Sequence, residues 1–203
     1  MTKEQEILSI AEDEFYHNGY LATSMVTVAK RAGVTHAMVN YYYRSKEQLF
    51  LKILDSHMNS FIENLRPVMK EGGDFIQVLV DAAGSVFDSF NADRMFPSLL
   101  LDVIRTAPEM LERYREQAQS FASETIERHS VRLRKEIEAG RMADTTMMEI
   151  VENILLLTSS PFLIIPTLEN LCHMKSAEID AYLSLRRQEI EAVIRTRYKK
   201  IKG

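Results

Sequence analysis

A short stretch around residue 40 carries the side chains with the clearest chemical potential. The pattern predicts a helix from His36 to Tyr42, with Val39 and Tyr43 about one turn apart and able to pack inward. The other side of this helix is polar or small and comprises His36, Ala37, Asn40, Tyr41 and Arg44. An asparagine amide matches the N6 and N7 atoms of adenine, and hydroxyl and amino groups bind phosphate. The exposed side therefore favours binding to double-stranded DNA.

Eight residues are predicted to contact the DNA. Asn40 is expected to face base edges, with His36 and Ala37 at the end of the helix that enters the groove. Contacts mainly with phosphates, which set the register without reading sequence, are expected of Thr35, Tyr41, Tyr42 and Lys46. Ser24, ahead of the preceding helix, completes the set.

Neighbouring helices must position this one. The preceding helix has an apolar face and ends at Gly33, because glycine tolerates the left-handed geometry of a helix C-terminus. Thr35 suits the N-cap of the next helix. A capping box of Ser45 and Gln48 then starts a further helix near Lys46. A helix, a glycine turn and a second helix form the arrangement that places the second helix in the major groove of DNA.

About the first 55 residues resemble the N-terminal signature of the TetR family of bacterial transcriptional regulators, over the segment FYHNGYLATSMVTVAKRAGVTHAMVNYYYRSKEQLF. The shared marks are F-x-x-x-G-Y, a Thr-Ser pair, A-x-x-A-G-V at the turn, an aromatic run and S-K-E-x-L-F. Asn40 stands where this family usually has Tyr, and Ala37 where Gly is frequent, so base preferences cannot be transferred from relatives. The resemblance implies a ligand-responsive regulator, most often a repressor, that binds a palindromic operator as a homodimer.

The pattern along the whole chain predicts an all-α fold, without the alternation that indicates strands. An N-terminal three-helix helix-turn-helix DNA-binding domain, 1–50, is expected to be joined by a long fourth helix to a larger helical domain, 51–203, for ligand binding and dimerisation. The fourth helix is predicted from Lys46 to about Arg66. Later helices are predicted from about Glu109 to Ala139 and from Thr146 to an interruption at Ser159–Pro161.

Composition excludes few functions but suggests a location. The chain has 203 residues, of which 46% are hydrophobic and 27% charged, as in ordinary globular proteins. The net charge of −4 does not oppose DNA binding, because Glu47 is the sole acid among several lysines and arginines between Val28 and Lys52. Cys172 is the only cysteine, which fits a reducing cytoplasm. Apolar runs such as Ile154–Leu157 are too short to span a bilayer, so a cytoplasmic protein without a membrane partner is expected.

Two late helices carry apolar stripes that have two interpretations. They can pack into the core of the monomer, or they can pair with their copies in a two-fold dimer. The resemblance favours the homodimer. Its predicted interface consists of Ile150, Ile154, Leu157, Ile179, Leu183, Ile190 and Ile194.

The middle of the chain is rich in aromatic residues and methionine, which can form either a plain core or an adaptable ligand cavity. With the resemblance, a pocket for a small, largely apolar effector is predicted, lined by Phe61, Phe87, Phe90, Met95, Phe96, Arg105, Tyr114 and Phe121. Asp102 is a further polar residue beside an apolar run that could orient a ligand, although a structural role is the commoner one for such a residue.

Signs of catalysis are weak. The sequence lacks a phosphate-binding glycine loop and a Cys-x-x-Cys pair, and its histidines are scattered without metal-ligand spacing. We therefore expect no enzymatic activity, no cofactor and no metal. The alternative to a DNA-binding regulator is a helical interaction module whose helix-turn-helix binds a protein.

Overall fold

The computed structural model describes residues 2–65 and 73–199, without the side chains of 65, 117–122, 124 and 125. Within these ranges the chain is helical and contains no β-strand, which confirms the all-α prediction. The elements are α1 (Lys3–Ala22), α2 (Met25–Arg31), α3 (His36–Tyr43), α4 (Lys46–Leu65), α5 (Phe75–Ala92), α6 (Phe96–Thr106), a 3-10 helix (Pro108–Tyr114), α7 (Arg115–Glu138), α8 (Met147–Leu163), α9 (Ile165–Asn170) and α10 (Ser176–Tyr198). The predicted end of α4 at Arg66–Pro67 lies outside the described residues.

The first compact unit consists of two separate stretches of chain, Met1–Ser60 and Met95–Tyr114. Its centre is aromatic: the Phe15 and Tyr20 rings of α1 each lie 4.9 Å from the Phe50 ring of α4. Helix α6 packs against α1 and buries one face, because its apolar residues Leu99 and Val103 recur at helical spacing. The N-terminal helices therefore share a core with a helix from much later in the chain.

The second unit consists of Phe61–Arg94 and Arg115–Gly203. Helix α5 lies at its centre and packs against both α8 and α10. The ring of Phe87 on α5 lies 5.0 Å from that of Phe162 on α8. At the edge of this core, the Arg187 guanidinium of α10 donates two hydrogen bonds of 2.8 Å to the carboxylate of Asp88 on α5.

These units differ from the predicted domains 1–50 and 51–203. The boundary between the units falls within α4, after Ser60, and residues 95–114 join the N-terminal unit. The reason is a set of contacts beyond the reach of local patterns, among them a 2.5 Å hydrogen bond from the Tyr114 hydroxyl to Asp55 on α4. Burial and this bond raise the pKa of the Tyr114 hydroxyl. The functional division into DNA-binding and ligand-binding domains stays a prediction.

Two predicted helix boundaries were wrong. The stretch from Pro108 to Tyr114 is a 3-10 helix rather than the first turns of a long α-helix. Helix α8 continues through Pro161 to Leu163 instead of stopping at Ser159. Proline in a helix leaves a carbonyl without its usual donor, and here the Ser160 hydroxyl donates to the Leu157 carbonyl at 3.5 Å.

Helices α8 and α9 form the most apolar part of the chain. The segment Met147–Asn170 is long and apolar enough to cross a membrane by length and composition; an 18-residue window of it has mean hydropathy 1.5, and 33% of that window is buried in the chain. The prediction that all apolar runs are too short considered uninterrupted runs and missed this helical segment. Core helices of soluble proteins meet the same criterion. What a core role does not explain is the apolar side chains of this segment that remain exposed.

The packing of α10 gives a first prediction. Leu183→Ala should lower the free energy of unfolding by about 2–5 kcal/mol, because the buried side chain leaves a cavity against α5 and α8. Gln188→Ala, at an exposed position of the same helix, should change it by less than about 0.5 kcal/mol. Urea unfolding followed by circular dichroism measures both. A Leu183 variant that keeps its unfolding free energy but loses self-association would instead place Leu183 in a dimer interface.

Candidate nucleic-acid interface

Side-chain caps fix the turn between α2 and α3. The Ser24 hydroxyl accepts from the Thr27 amide at 3.0 Å at the start of α2, and the Thr35 hydroxyl accepts from the Met38 amide at 3.2 Å at the start of α3. Gly33 between them has φ +62°, a left-handed conformation that side chains rarely adopt. The predicted helix, glycine turn and helix is therefore present, with Thr35 as the predicted N-cap.

Helix α3 is anchored by one side and exposed on the other. Val39 and Tyr43 are buried, as predicted, and the Tyr43 hydroxyl donates to the Glu4 carbonyl of α1 at 3.1 Å. Burial raises the pKa of Tyr43 to about 12, with a further contribution from the Glu4 carboxylate, so this hydroxyl stays a donor at neutral pH. The helix is thereby fixed to α1 in a defined rotation.

The exposed side of α3 holds most of the residues predicted to contact DNA. His36 and Ala37 are exposed, Tyr41 is 81% exposed and Tyr42 lies beside it, with 5.3 Å between the two ring centres. Asn40 is half-buried on the same helix. These side chains form one polar and aromatic surface, on which their amide, imidazole and hydroxyl groups can donate and accept hydrogen bonds.

Lys46 makes its contacts within the chain. Its ammonium donates to the carbonyls of Tyr20 at 2.9 Å and Leu21 at 3.2 Å, and it lies 4.5 Å from the centre of the Tyr20 ring. The half-buried side chain thus binds the end of α1. A cation in this place can still attract a phosphate, but its first contacts are structural.

The local positive charge is smaller than the sequence suggested. The guanidinium of Arg31 is bound by Asp13 at 2.6 Å and by Glu14 at 2.7 Å, so much of its charge is balanced. Arg44 was given no role, yet it is exposed and follows the last residue of α3. Its position on the predicted outer side of the helix was the signal that could have identified it.

The predicted dimer interface is mostly interior, which is a correction. Ile150 and Ile154 of α8 are buried, as are four residues of α10, and Leu157 is half-buried. The four are Ile179, Leu183, Ile190 and Ile194. They pack into the core that α5, α8 and α10 share within one chain. A residue in that core cannot also cover a second copy, so the core interpretation of the two stripes was the right one.

The same helices expose other apolar side chains. Leu156 of α8 is 61% exposed and Leu185 of α10 is 55% exposed. Further exposed members on α8 to α10 and the connecting residues are Met148, Leu155, Leu163, Ile164, Leu171 and Val193. Five of them, Met148, Leu155, Leu156, Leu163 and Ile164, lie within Met147–Asn170 and contribute to its apolar character.

The predicted pocket residues are divided between the two units. Phe61, Phe87 and Phe90 belong to the second unit, where the rings of Phe61 and Phe90 stack at 5.4 Å. In the first unit, Phe96 is buried beside His57 and Tyr114 binds Asp55, while Met95 is half-buried. The Arg105 side chain is 78% exposed, which contradicts its place in an enclosed pocket. The side chain of Phe121 lies outside the described residues.

A surface groove of about 290 Å³ lies between α5 and α10. Of the predicted pocket residues Phe87 lines it, and most of the remaining lining is polar, including Gln77, Asp81 and Glu191. This lining does not match the expected apolar effector.

Comparison with known proteins identifies the N-terminal region. The model of the family described as bacterial regulatory proteins, tetR family, matches residues 7–53. The HTH-type transcriptional activator FasR of Mycolicibacterium smegmatis is 30% identical over 88 residues, 43% of this chain and 40% of that protein. The fatty acid metabolism regulator protein of Bacillus subtilis is 29% identical over 69 residues, 34% of this chain and 36% of that protein. The chain thus matches about two-fifths of the length of these relatives.

A solved structure extends the likeness of the fold to nearly the whole chain. The ketosteroid transcriptional regulator KstR2 of Mycobacterium tuberculosis superimposes with a TM-score of 0.68 over 98% of this chain and 96% of its own, at 15% identity. The family and these relatives are regulators and not enzymes, which agrees with the expectation from sequence. The similarity to the tetR family of bacterial regulatory proteins thus lies in residues 7–53, which contain the helix-turn-helix.

Proposed function

We propose that the protein is a ligand-responsive transcriptional repressor, which binds a palindromic operator as a homodimer and is released by a small, largely apolar effector. The single observation that carries DNA binding is the exposed polar side of α3, fixed by the burial of Val39 and Tyr43 on its other side. A helix held in this way presents the same atoms to every DNA molecule, as base reading requires.

Five of the predicted contacts keep their proposed roles on α3. Asn40 reads a base edge, His36 and Ala37 enter the groove, and the hydroxyls of Tyr41 and Tyr42 hold phosphates. Ser24 and Thr35 present their hydroxyls at helix starts, where phosphate also meets free backbone amides. Lys46 contributes its charge while it holds the end of α1.

We assign the homodimer to the exposed side of α8 and α10 instead of their buried stripes. Leu155, Leu156 and Leu185 support this, because a soluble protein rarely leaves so many large apolar side chains in water. A second copy of the same surface would cover them by two-fold pairing. Two helix-turn-helix units could then reach successive major grooves.

The effector is assigned to the second unit, with the aromatic residues at the end of α4 as its first contacts. Phe61 of α4 is half-buried and stacks on Phe90, which in turn lies 6.0 Å from Phe162. An apolar molecule at these rings would act directly on α4, which also carries Phe50 in the N-terminal unit. One relative is named for fatty acid metabolism, so a fatty acid is a reasonable first probe.

DNA binding and protein binding through α3 predict different results in a gel shift with DNA from upstream of the protein's own gene. A regulator should bind a discrete fragment, with affinity that falls steeply with salt. Asn40→Ala should change the preferred sequence and lose about 1–3 kcal/mol at one base position. Selection from a random DNA pool measures that preference, with the exposed Gln48→Ala as a control on α4. An unchanged preference would remove Asn40 from base reading, and the absence of DNA binding would favour the interaction module.

Introducing charged side chains tests the proposed dimer surface on α8 and α10. Leu156→Glu combined with Leu185→Glu should give monomers with weak operator binding, because a dimer would have to bury unpaired carboxylates. Leu101→Glu is the matched control, since Leu101 is 53% exposed on α6, a helix that is not part of the proposed interface. Sedimentation at micromolar concentration, with circular dichroism to verify folding, measures the effect. A dimeric double variant, or a monomeric wild type, would contradict the assignment.

The effector proposal predicts reciprocal linkage. If palmitate weakens operator binding by a given factor, operator DNA must weaken palmitate binding by the same factor. Calorimetric titration of the protein with palmitate, with and without operator, measures this factor, and Phe61→Ala should reduce palmitate affinity in both titrations. Equal affinities in the two titrations would exclude palmitate as the releasing ligand.

A further inference from the structure

The end of α1 contains a break that side chains of two other helices hold. Gly19 has φ +73° and ψ 172°, so the helix is interrupted there before Tyr20–Ala22. The amide of Tyr20, which the break frees from its helical partner, donates to the Asp102 carboxylate of α6 at 3.1 Å. A hydrogen bond from an amide to a carboxylate is stronger than one between neutral groups.

The approach of Asp102 to this break is close. A Cβ atom at position 19 would lie 2.8 Å from the Asp102 carboxylate oxygen, a distance that real Cβ atoms essentially never show. Glycine is favoured at this position by its positive φ, and a Cβ here would make the Asp102 carboxylate shift from its present place. The two residues fit each other, although 82 positions separate Tyr20 from Asp102 in the sequence.

Helix α4 holds the carbonyl groups of the same break. Lys46 donates to the carbonyls of Tyr20 and Leu21, and the Thr23 hydroxyl donates to the Gly19 carbonyl at 2.9 Å. The next residue, Ser24, is the N-cap of α2. The break is therefore next to the start of the helix-turn-helix in the sequence.

Asp102 has a weaker contact that serves as a comparison. Arg105 lies 3.6 Å from the other carboxylate oxygen, but its side chain is 78% exposed. Exposed ion pairs contribute little to stability. The amide of Tyr20 is thus the main interaction of this carboxylate in the part of the chain that the structure describes.

We propose that Asp102 is a positioning residue for DNA reading, which fixes the orientation of α2 and α3 by accepting the Tyr20 amide at the α1 break. The proposal rests on the proposed DNA-binding function. It makes α6 a second route, besides α4, by which a change elsewhere in the chain can alter operator affinity. Helix α6 directly follows α5 in the sequence.

Three variants separate the bond from a general effect on folding. Asp102→Ala removes the acceptor, Asp102→Asn keeps an acceptor oxygen without the charge, and Arg105→Ala removes only the exposed ion pair. Operator affinity is measured for each by fluorescence anisotropy, with the wild type as reference. In parallel, amide hydrogen exchange followed by NMR reports on the Tyr20 amide in the absence of DNA.

Asp102→Ala should weaken operator binding about tenfold, or about 1.4 kcal/mol, and speed the exchange of the Tyr20 amide. Asp102→Asn should recover most of both losses, and Arg105→Ala should match the wild type. Wild-type affinity in Asp102→Ala, unchanged Tyr20 exchange, or an Asn variant as weak as the Ala variant would each overturn the positioning role. A wild type that binds no DNA would overturn the proposed function as well, which distinguishes the two failures.

A double-mutant cycle of Gly19→Ala with Asp102→Ala provides a second test. The added Cβ would meet the Asp102 carboxylate, so part of the loss of operator affinity in Gly19→Ala should come from this contact. That part of the loss should be absent when Asp102 is also replaced by Ala. The combined loss of operator affinity should therefore be smaller than the product of the two single losses. Independent, multiplicative losses would contradict a shared role at the break.

Discussion

The packing of α6 against α1 is the interaction on which the N-terminal unit depends. It closes the core that contains Phe15, Tyr20 and Phe50 with a helix from beyond α5. Leu99 and Val103 supply the apolar contact, and Asp102 between them supplies the polar one. The helix-turn-helix is therefore not a module that merely precedes the remaining chain, because its first helix is shaped by a later one.

Local chemistry made the centre of the candidate interface predictable. Thr35 as an N-cap, Gly33 at the turn, and Val39 and Tyr43 at inward positions are features that a few neighbouring residues determine. The family signature covers the same region. The residues of α2, the turn and α3 thus contain nearly all the information that determines the local structure of this region.

Other features could not be predicted because they depend on distant partners. The apolar period of α10 showed correctly that Leu183 and Ile190 are covered, but a period does not specify whether α5 or a second chain covers them. The role of Asp102 depends on an amide that a distant glycine break exposes. Lys46 was expected at a phosphate, yet carbonyls at the end of α1 bind it first.

The exposed leucines of α8 and α10 show why burial must be known before a surface is assigned. Both sides of α8 are apolar, so its sequence alone offers two equally good interfaces. The side packed on α5 includes Ile150 and Ile154, which leaves Leu155 and Leu156 for another partner. The core position of Ile150 and Ile154 is thus compatible with a dimer that uses other residues of the same helices.

The N-terminal unit is formed by two separate stretches of chain, and this has a consequence for synthesis on the ribosome. When Ser60 emerges, α1 to α3 are complete, but the residues that cover α1 are still to be made. Translation of the next 50 or so residues takes roughly 3–10 s at typical bacterial speeds. During that interval the side of α1 that α6 will cover lacks this partner and is open to chaperones and proteases. Nascent chains arrested between positions 60 and 95 should therefore be more sensitive to proteolysis than those that extend beyond Tyr114.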